Sequence, residues 1–200
     1  MKLLLATHNA HKAREFARLI GAGADSGRWE LDVLDDDVEL PPEDGETFAE
    51  NALGKARAVA AAMGRPTIAD DSGIAVAALD GAPGVRSARY AGDRASDAEN
   101  LAKLLREAPE GSAAEYVCAI AYVDPRRGDE RLFEARCAGT LTSRTRGERG
   151  FGYDPAFVPD EGERGLTMAE LSDAQKDAIS HRGRAARALI AWLEGTRADA

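Results

Sequence analysis

Asp70 and Asp71 are the residues of this chain best suited to do chemistry. Two adjacent carboxylates follow the apolar run Pro66-Thr67-Ile68-Ala69 and precede Ser72-Gly73. Side chains alternate faces along a strand, so the two carboxylates point opposite ways. One can be tied into the structure while the other faces a cleft. A carboxylate at a strand end, beside a tight turn, can hold a hard cation or take a proton from water. The plainer reading is an Asx-turn that only shapes the loop.

Four other stretches have chemical character. The turn Thr7-His8-Asn9-Ala10-His11-Lys12 joins a strand to a helix start. Amides and the helix dipole favour an anion there, and Lys12 adds charge that Glu15, one turn on, can orient; the plainer reading is an ordinary N-cap with a surface ion pair. It is not a P-loop, lacking both the glycine run and the Gly-Lys-Ser/Thr ending. Glu43-Asp44-Gly45 follows two prolines, and a stiff acidic loop suits magnesium, the plainer reading being a solvated turn. Lys55 can reach a phosphate or simply be solvated. Phe151-Gly152-Tyr153-Asp154-Pro155 puts aromatic rings on a glycine-flexed loop, either a platform for a base or an anchor through Tyr153 or Phe157. Lys176 and Ser180-His181-Arg182-Gly183 offer donors to ligand carbonyls, or a capped helix start with a solvated basic turn.

These residues need elements to position them. Residues 2–6 read as a buried strand. Asn9 caps a helix to about Gly21, with Ala13, Phe16, Ala17 and Ile20 on its inner face. A strand follows at 31–34, then an acidic loop of Asp35, Asp36, Asp37 and Glu39. Thr47 and Glu50 form a capping box for a helix over 47–63. Strand 66–69 leads to the aspartate turn and a hairpin through Tyr90. Ser96 and Glu99 cap a helix ending near Glu107. Segments 114–123 and 131–142 form a hairpin, Ser172 and Gln175 start a short helix, and a last helix spans 181–194. Strands interleaved with helices predict an α/β protein with a mixed sheet.

Composition narrows the class. The chain has 200 residues, 44% hydrophobic and 30% charged, with a net charge of −9. That charge opposes binding to nucleic acid or to an anionic membrane surface. No apolar run approaches a membrane span, so a cytoplasmic protein is expected. Cys118 and Cys137 fall on the two hairpin strands; free thiols are expected in the cytosol, although a disulfide is conceivable. Two cysteines and three histidines give no zinc signature.

The motifs together, Thr7-x-Asn9-x-x-Lys12-x-x-Glu15, Thr47-Phe48-x-Glu50-Asn51-Ala52-x-x-Lys55-Ala56, Asp70-Asp71-Ser72-Gly73, Gly81-x-Pro83-Gly84, Ser87-Ala88-Arg89-Tyr90, Gly150-Phe151-Gly152-Tyr153-Asp154-Pro155 and Ser180-His181-Arg182-Gly183, resemble one family. It is the non-canonical purine nucleoside triphosphate pyrophosphatases, also called inosine/xanthosine triphosphate pyrophosphatases. The motifs run in family order from residue 3 to residue 187.

The resemblance implies a magnesium-dependent hydrolase that converts ITP, dITP or XTP to the monophosphate and pyrophosphate, clearing deaminated purines. It implies an elongated mixed β-sheet flanked by helices, two lobes around a central substrate cleft, and a homodimer. One domain is expected over 1–195, with a flexible tail at 196–200. By matching positions, Thr7, His8, Asn9, Ala10, His11 and Lys12 hold the triphosphate, with Lys55 and Arg89. Glu43 and Asp71 hold magnesium, and Asp71 is also the base for the attacking water. Ser72 touches the substrate. Phe151, Gly152, Tyr153, Asp154, Lys176, His181 and Arg182 form the base pocket, with Arg182 and the His181 backbone donating to the 6-carbonyl. Arg86 stands where the family commonly has Tyr, and Arg149 where a small or amide residue is usual. The rival readings are a pyrophosphatase for other modified nucleotides, such as dUTP, and a nucleotide-binding regulator without catalysis.

Overall fold

A computed structural model describes residues 2–23 and 29–198. Its strands are β1 (Lys2–Leu5), β2 (Glu30–Val33), β3 (Thr67–Val76), β4 (Ala113–Asp124), β5 (Asp129–Leu141) and β6 (Phe157–Pro159). Its α-helices are α1 (Ala10–Gly23), α2 (Phe48–Met63), α3 (Asp97–Glu107), α4 (Asp173–Ile179) and α5 (His181–Ala198). The six strands form one sheet in the order β2-β1-β3-β4-β5-β6. β1 is parallel to β2 and β3, while β5 and β6 are antiparallel, so the sheet is mixed as expected.

Contacts divide the chain into two compact units. The first contains Met1–Asp71, Cys118–Ala135 and Arg182–Ala200; the second contains Ser72–Val117 and Arg136–His181. In the first unit, alternation along the strands sorts side chains to two faces. Leu3, Leu5 and Ile68 cluster with Phe16 of α1 and Ala185 and Leu189 of α5. Leu4, Ala6 and Ala69 cluster with Ala52, Ala56, Val59 and Ala60 of α2. The spacing of those four is helical, and their small side chains let α2 lie close on the strands. The same alternation carries on into Asp70 and Asp71. Asp70 shares the face of Ile68, toward α1 and α5, and Asp71 that of Ala69, toward α2.

The second unit packs Ile74, Val76, Leu104, Tyr116, Leu141, Tyr153, Phe157 and Met168 into its own core. The capping boxes expected at Thr47/Glu50 and Ser96/Glu99 form as read, and Ser172/Gln175 makes a third. Each satisfies amides at a helix start that would otherwise lack partners.

Several expectations change. β3 does not turn at Asp-Asp-Ser-Gly but continues to Val76. Gly73 serves close approach instead of a turn. A Cβ there would collide with the Ser87 hydroxyl and the Gly84 carbonyl. That hydroxyl accepts the Ile74 amide at 2.9 Å and donates to Gly84 O at 2.7 Å. The hairpin expected through Tyr90 reduces to one antiparallel bridge, Ala75 to Pro83, with 3-10 turns at Ala77–Leu79 and Gly84–Arg89. α1 continues past Gly21, and its buried residues include Phe16, Leu19 and Ile20, with Ala17 exposed. Phe157 anchors a strand, β6, instead of a loop. α5 runs through Ala198, into the expected tail, whose last two residues lie outside the described residues. Both cysteines are free and buried, and burial pushes the Cys118 thiol up to about 12.

Candidate functional site

Asp70 is the centre of charge in the first unit. Its side chain is fully buried, with Lys12 Nζ at 3.1 Å and Arg182 Nη2 at 3.2 Å from Oδ2. Arg182 also donates to Glu15 Oε2 at 2.6 Å. Burial works to raise the pKa of Asp70, but Lys12, Arg182 and Lys55 outweigh it and hold the carboxyl well below the usual carboxylate range. A buried charge costs several kcal/mol unless paired, and this one has three cations.

Asp71 is placed differently. Its Oδ2 accepts Asn51 Nδ2 at 2.9 Å, and Asn51 Oδ1 in turn accepts the Gly45 amide at 2.8 Å. One α2 side chain thus ties the Glu43-Asp44-Gly45 loop to the carboxylate. Burial first, then the charge of Glu43, pushes the Asp71 carboxyl above its ordinary value, against the pull of Lys12 and Lys55. Lys55 Nζ donates to Glu43 and to the Asp70 carbonyl, the latter at 2.6 Å. Burial works against its charge, yet Asp70 and Glu43 raise its pKa above the ordinary value.

The turn at the start of α1 is built from its own side chains. Asn9 Oδ1 accepts the amides of His11 and Lys12, at 2.9 and 3.1 Å, and Thr7 Oγ1 accepts the Asn9 amide at 3.2 Å. His8, Asn9, Ala10 and His11 are exposed; Thr7 is buried.

A second cluster belongs to the second unit, with Asp154 at its centre. Lys176 Nζ donates to Asp154 Oδ2 at 2.6 Å, and Tyr116 OH donates to Oδ1 at 3.1 Å. The Phe151 amide reaches Oδ2 at 3.0 Å. The His181 ring stacks on Tyr116, centroids 4.6 Å apart and planes 7° from parallel. Lys176 Nζ lies 5.2 Å from the Phe151 ring centre. Phe151 and Gly152 are half-buried, whereas Tyr153 is buried and its hydroxyl donates to Ser87 O at 2.7 Å. Gly150 has φ +73°, and a Cβ there would overlap the Asp154 carboxylate.

The structure therefore brings Lys12, Glu43, Lys55 and Asp71 around one part of the first unit, and Phe151, Asp154, Lys176 and His181 together in the second. Ser72 and Arg89, both half-buried, also belong to the second unit. The Arg182 guanidinium engages Glu15 and Asp70. Glu15, expected to orient Lys12, accepts from Arg182. Arg86 is exposed, and Arg149 donates to the Glu170 carbonyl at 3.2 Å. Sequence reasoning gave no role to Asn51 or Tyr116. Asn51 lay inside a quoted motif and faces the same way as Ala52 and Lys55 on α2; Tyr116 carried no signal beyond its strand.

Glu43 and Asp71 form a donor set suited to magnesium, which takes one or two carboxylates and leaves its other positions to water and phosphate. Among the described residues, no group of three or more His, Cys, Asp or Glu gathers as a closed metal cage. No helix among them is long and apolar enough to cross a membrane.

Known proteins resemble this chain along nearly its whole length. A protein of Geobacillus kaustophilus named dITP/XTP pyrophosphatase is 48% identical, the match covering 92% of this chain and 90% of that one. One of the same name from Cutibacterium acnes is 45% identical over 97% and 98%. The structure of a HAM1 protein from Coxiella burnetii superposes with a TM-score of 0.85 at 35% identity, covering 98% and 99%. The Ham1 family profile matches residues 3–192, from within β1 to within α5, and the chain belongs to that family.

Proposed function

We propose that this protein hydrolyses non-canonical purine nucleoside triphosphates, ITP, dITP and XTP, to the nucleoside monophosphate and pyrophosphate. The observation that carries the reading is the division of labour between adjacent carboxylates. Asp70 is a buried anchor between Lys12 and Arg182, while Asp71 is held by Asn51, which also holds the Glu43-Asp44-Gly45 loop. The names of the relatives support the substrate class.

Asp71 is the base. Its carboxylate is oriented by the Asn51 amide, and a positioned carboxylate is a general base suited to water activation. Water loses its proton to Asp71 as its oxygen bonds to the α-phosphorus, and the bond from that phosphorus to the bridging oxygen breaks. The electron pair leaves with pyrophosphate. Lys12 and Lys55 offset the charge that develops on the leaving group. Glu43 and Asp71 would hold Mg2+, which supplies further charge neutralisation on phosphate oxygens.

Base selection belongs to the second cluster. Phe151 offers a stacking face, while Lys176 and His181 supply donors for a 6-carbonyl acceptor. Adenine carries a 6-amino donor there and leaves such donors unpaired, a cost of about 1–3 kcal/mol. Arg182 acts at one remove, by fixing Asp70 and through it Lys12. Arg89 and the Thr7–Lys12 turn contact phosphate, and Ser72 contacts the substrate. The homodimer is part of the same reading, and light scattering in solution tests it.

The test is product analysis with ITP, XTP, dITP, GTP, ATP and dUTP, with and without magnesium. Magnesium-dependent release of monophosphate and pyrophosphate, fastest from ITP, dITP and XTP, supports the reading. Preference for dUTP, or binding without turnover, would replace it with one of its rivals.

A further inference from the structure

Helix α3 carries none of the residues assigned a role above, yet one of its faces grips two segments that do. Asn100 is buried, and its amide group is used at both ends. Oδ1 accepts the Ala91 amide at 2.7 Å, and Nδ2 donates to Ala88 O at 3.1 Å. One turn on, Lys103 Nζ donates to Tyr90 O at 2.8 Å and lies 4.2 Å from the Tyr90 ring centre. The Tyr90 hydroxyl donates to Glu107. Positions 100, 103 and 107 share one helix face. Their attachments fall on residues 88, 90 and 91, which flank Arg89. At the other end of α3, Asp97 Oδ2 accepts the Gly152 amide at 2.8 Å, next to Phe151. The two gripped segments are also joined directly, by Tyr153 OH to Ser87 O at 2.7 Å.

We propose that α3 is a positioning strut. Asn100 sets the Arg89 segment, Asp97 sets the Phe151-Gly152 loop, and one rigid helix fixes the two against each other. Neither residue touches substrate. The inference rests on the phosphate role of Arg89 and the base role of Phe151 given above, and adds that their placement is a property of α3. Backbone segments held by side chains of a single helix cannot drift independently, and small misplacements of binding groups are expensive. Substrate recognition here therefore depends on two polar residues outside the site.

The experiment uses the full chain with magnesium, and tripolyphosphate as a probe that has no base. Asn100→Asp keeps the acceptor for Ala91 and loses the donor to Ala88. It is expected to raise the KM for ITP and the inhibition constant of tripolyphosphate by the same factor, about tenfold, as one hydrogen bond would. The preference for ITP over ATP stays unchanged. In an Arg89→Ala background the same substitution adds no further loss. Asp97→Ala, at an exposed residue, is expected to lower the ITP preference several-fold without moving tripolyphosphate inhibition; Asp97→Asn, which keeps an acceptor oxygen, restores it.

A purely structural role would lower kcat for every substrate together, and losses at Asn100 and Arg89 would multiply. That pattern overturns the proposal, as does an unchanged ITP preference in Asp97→Ala. If Asn100→Asp is recovered unfolded, the Asp97 pair alone decides. A wild-type enzyme that turns over ITP while these variants behave like it overturns the strut and leaves the pyrophosphatase reading standing. Wild-type inactivity on every triphosphate overturns both.

Discussion

The two polar clusters are built on opposite principles. Around Asp70 and Asp71, four carboxylates and three cations interlock, counting Glu15 and Glu43 with Lys12, Lys55 and Arg182. Around Asp154 one carboxylate meets one ammonium, a tyrosine hydroxyl and a backbone amide, with the His181 ring stacked on that tyrosine. A triphosphate is recognised by charge, and its cleavage needs groups whose protonation is tuned. A purine base is neutral and flat, so stacking faces and oriented donors suffice. The chain's net charge of −9 conceals this division, because the cations that matter are buried among carboxylates.

The largest expected effect comes from removing the tuned group. Asp71→Asn keeps an oxygen for Asn51 but cannot take a proton. It is expected to reduce kcat by about 10²–10⁴-fold with the base preference intact, measured by steady-state kinetics. Next is Asp70→Asn, which leaves Lys12 and Arg182 short of their counter-charge in a buried place. A loss of about 3–5 kcal/mol in denaturant unfolding is expected, as for other broken buried pairs. The folded-state pKa of Asp70 lies below its unfolded value, so its contribution is fully present above the ordinary carboxylate range and is lost as pH falls. The stability gap between wild type and Asp70→Asn should therefore narrow below about pH 4.

In the second cluster, Phe151→Ala removes a stacking face worth about 1–3 kcal/mol per base. It is expected to raise the KM for ITP and leave tripolyphosphate inhibition unchanged. The smallest effect sharpens the contrast between the neighbouring aspartates. The folded-state pKa of Asp71 is raised, so its stabilising contribution is complete below the unfolded value and lost as pH rises. At neutral pH its charge costs stability. Asp71→Asn in metal-free buffer should raise Tm by a few degrees, about 2–4 °C per kcal/mol, while Asp70→Asn lowers it.

Much of this was legible in the sequence, for physical reasons. The capping boxes are local, so Thr47/Glu50, Ser96/Glu99 and Ser172/Gln175 could be read directly. Strand alternation correctly put Asp70 and Asp71 on opposite faces. The turn expected at Ser72-Gly73 failed because glycine signals two things, a special φ and a close approach, and a sequence does not say which. Only the fold brings Ser87 against Gly73. Partner choice was equally hidden: Lys12 and Arg182 meet on Asp70 across 112 residues of chain from Asp70 to Arg182. Asn51, Tyr116 and Asn100 act by holding other groups, and such residues have no spacing that marks them.

The central claim is that charge chemistry and base reading reside in separate clusters. It is tested most directly by comparing Asp71→Asn with Lys176→Gln, taking kcat/KM for ITP and for ATP on each. The account predicts that Asp71→Asn lowers both by the same factor, and that Lys176→Gln lowers the ITP:ATP ratio by about tenfold or more. A changed ratio in Asp71→Asn, or an unchanged one in Lys176→Gln, would contradict it.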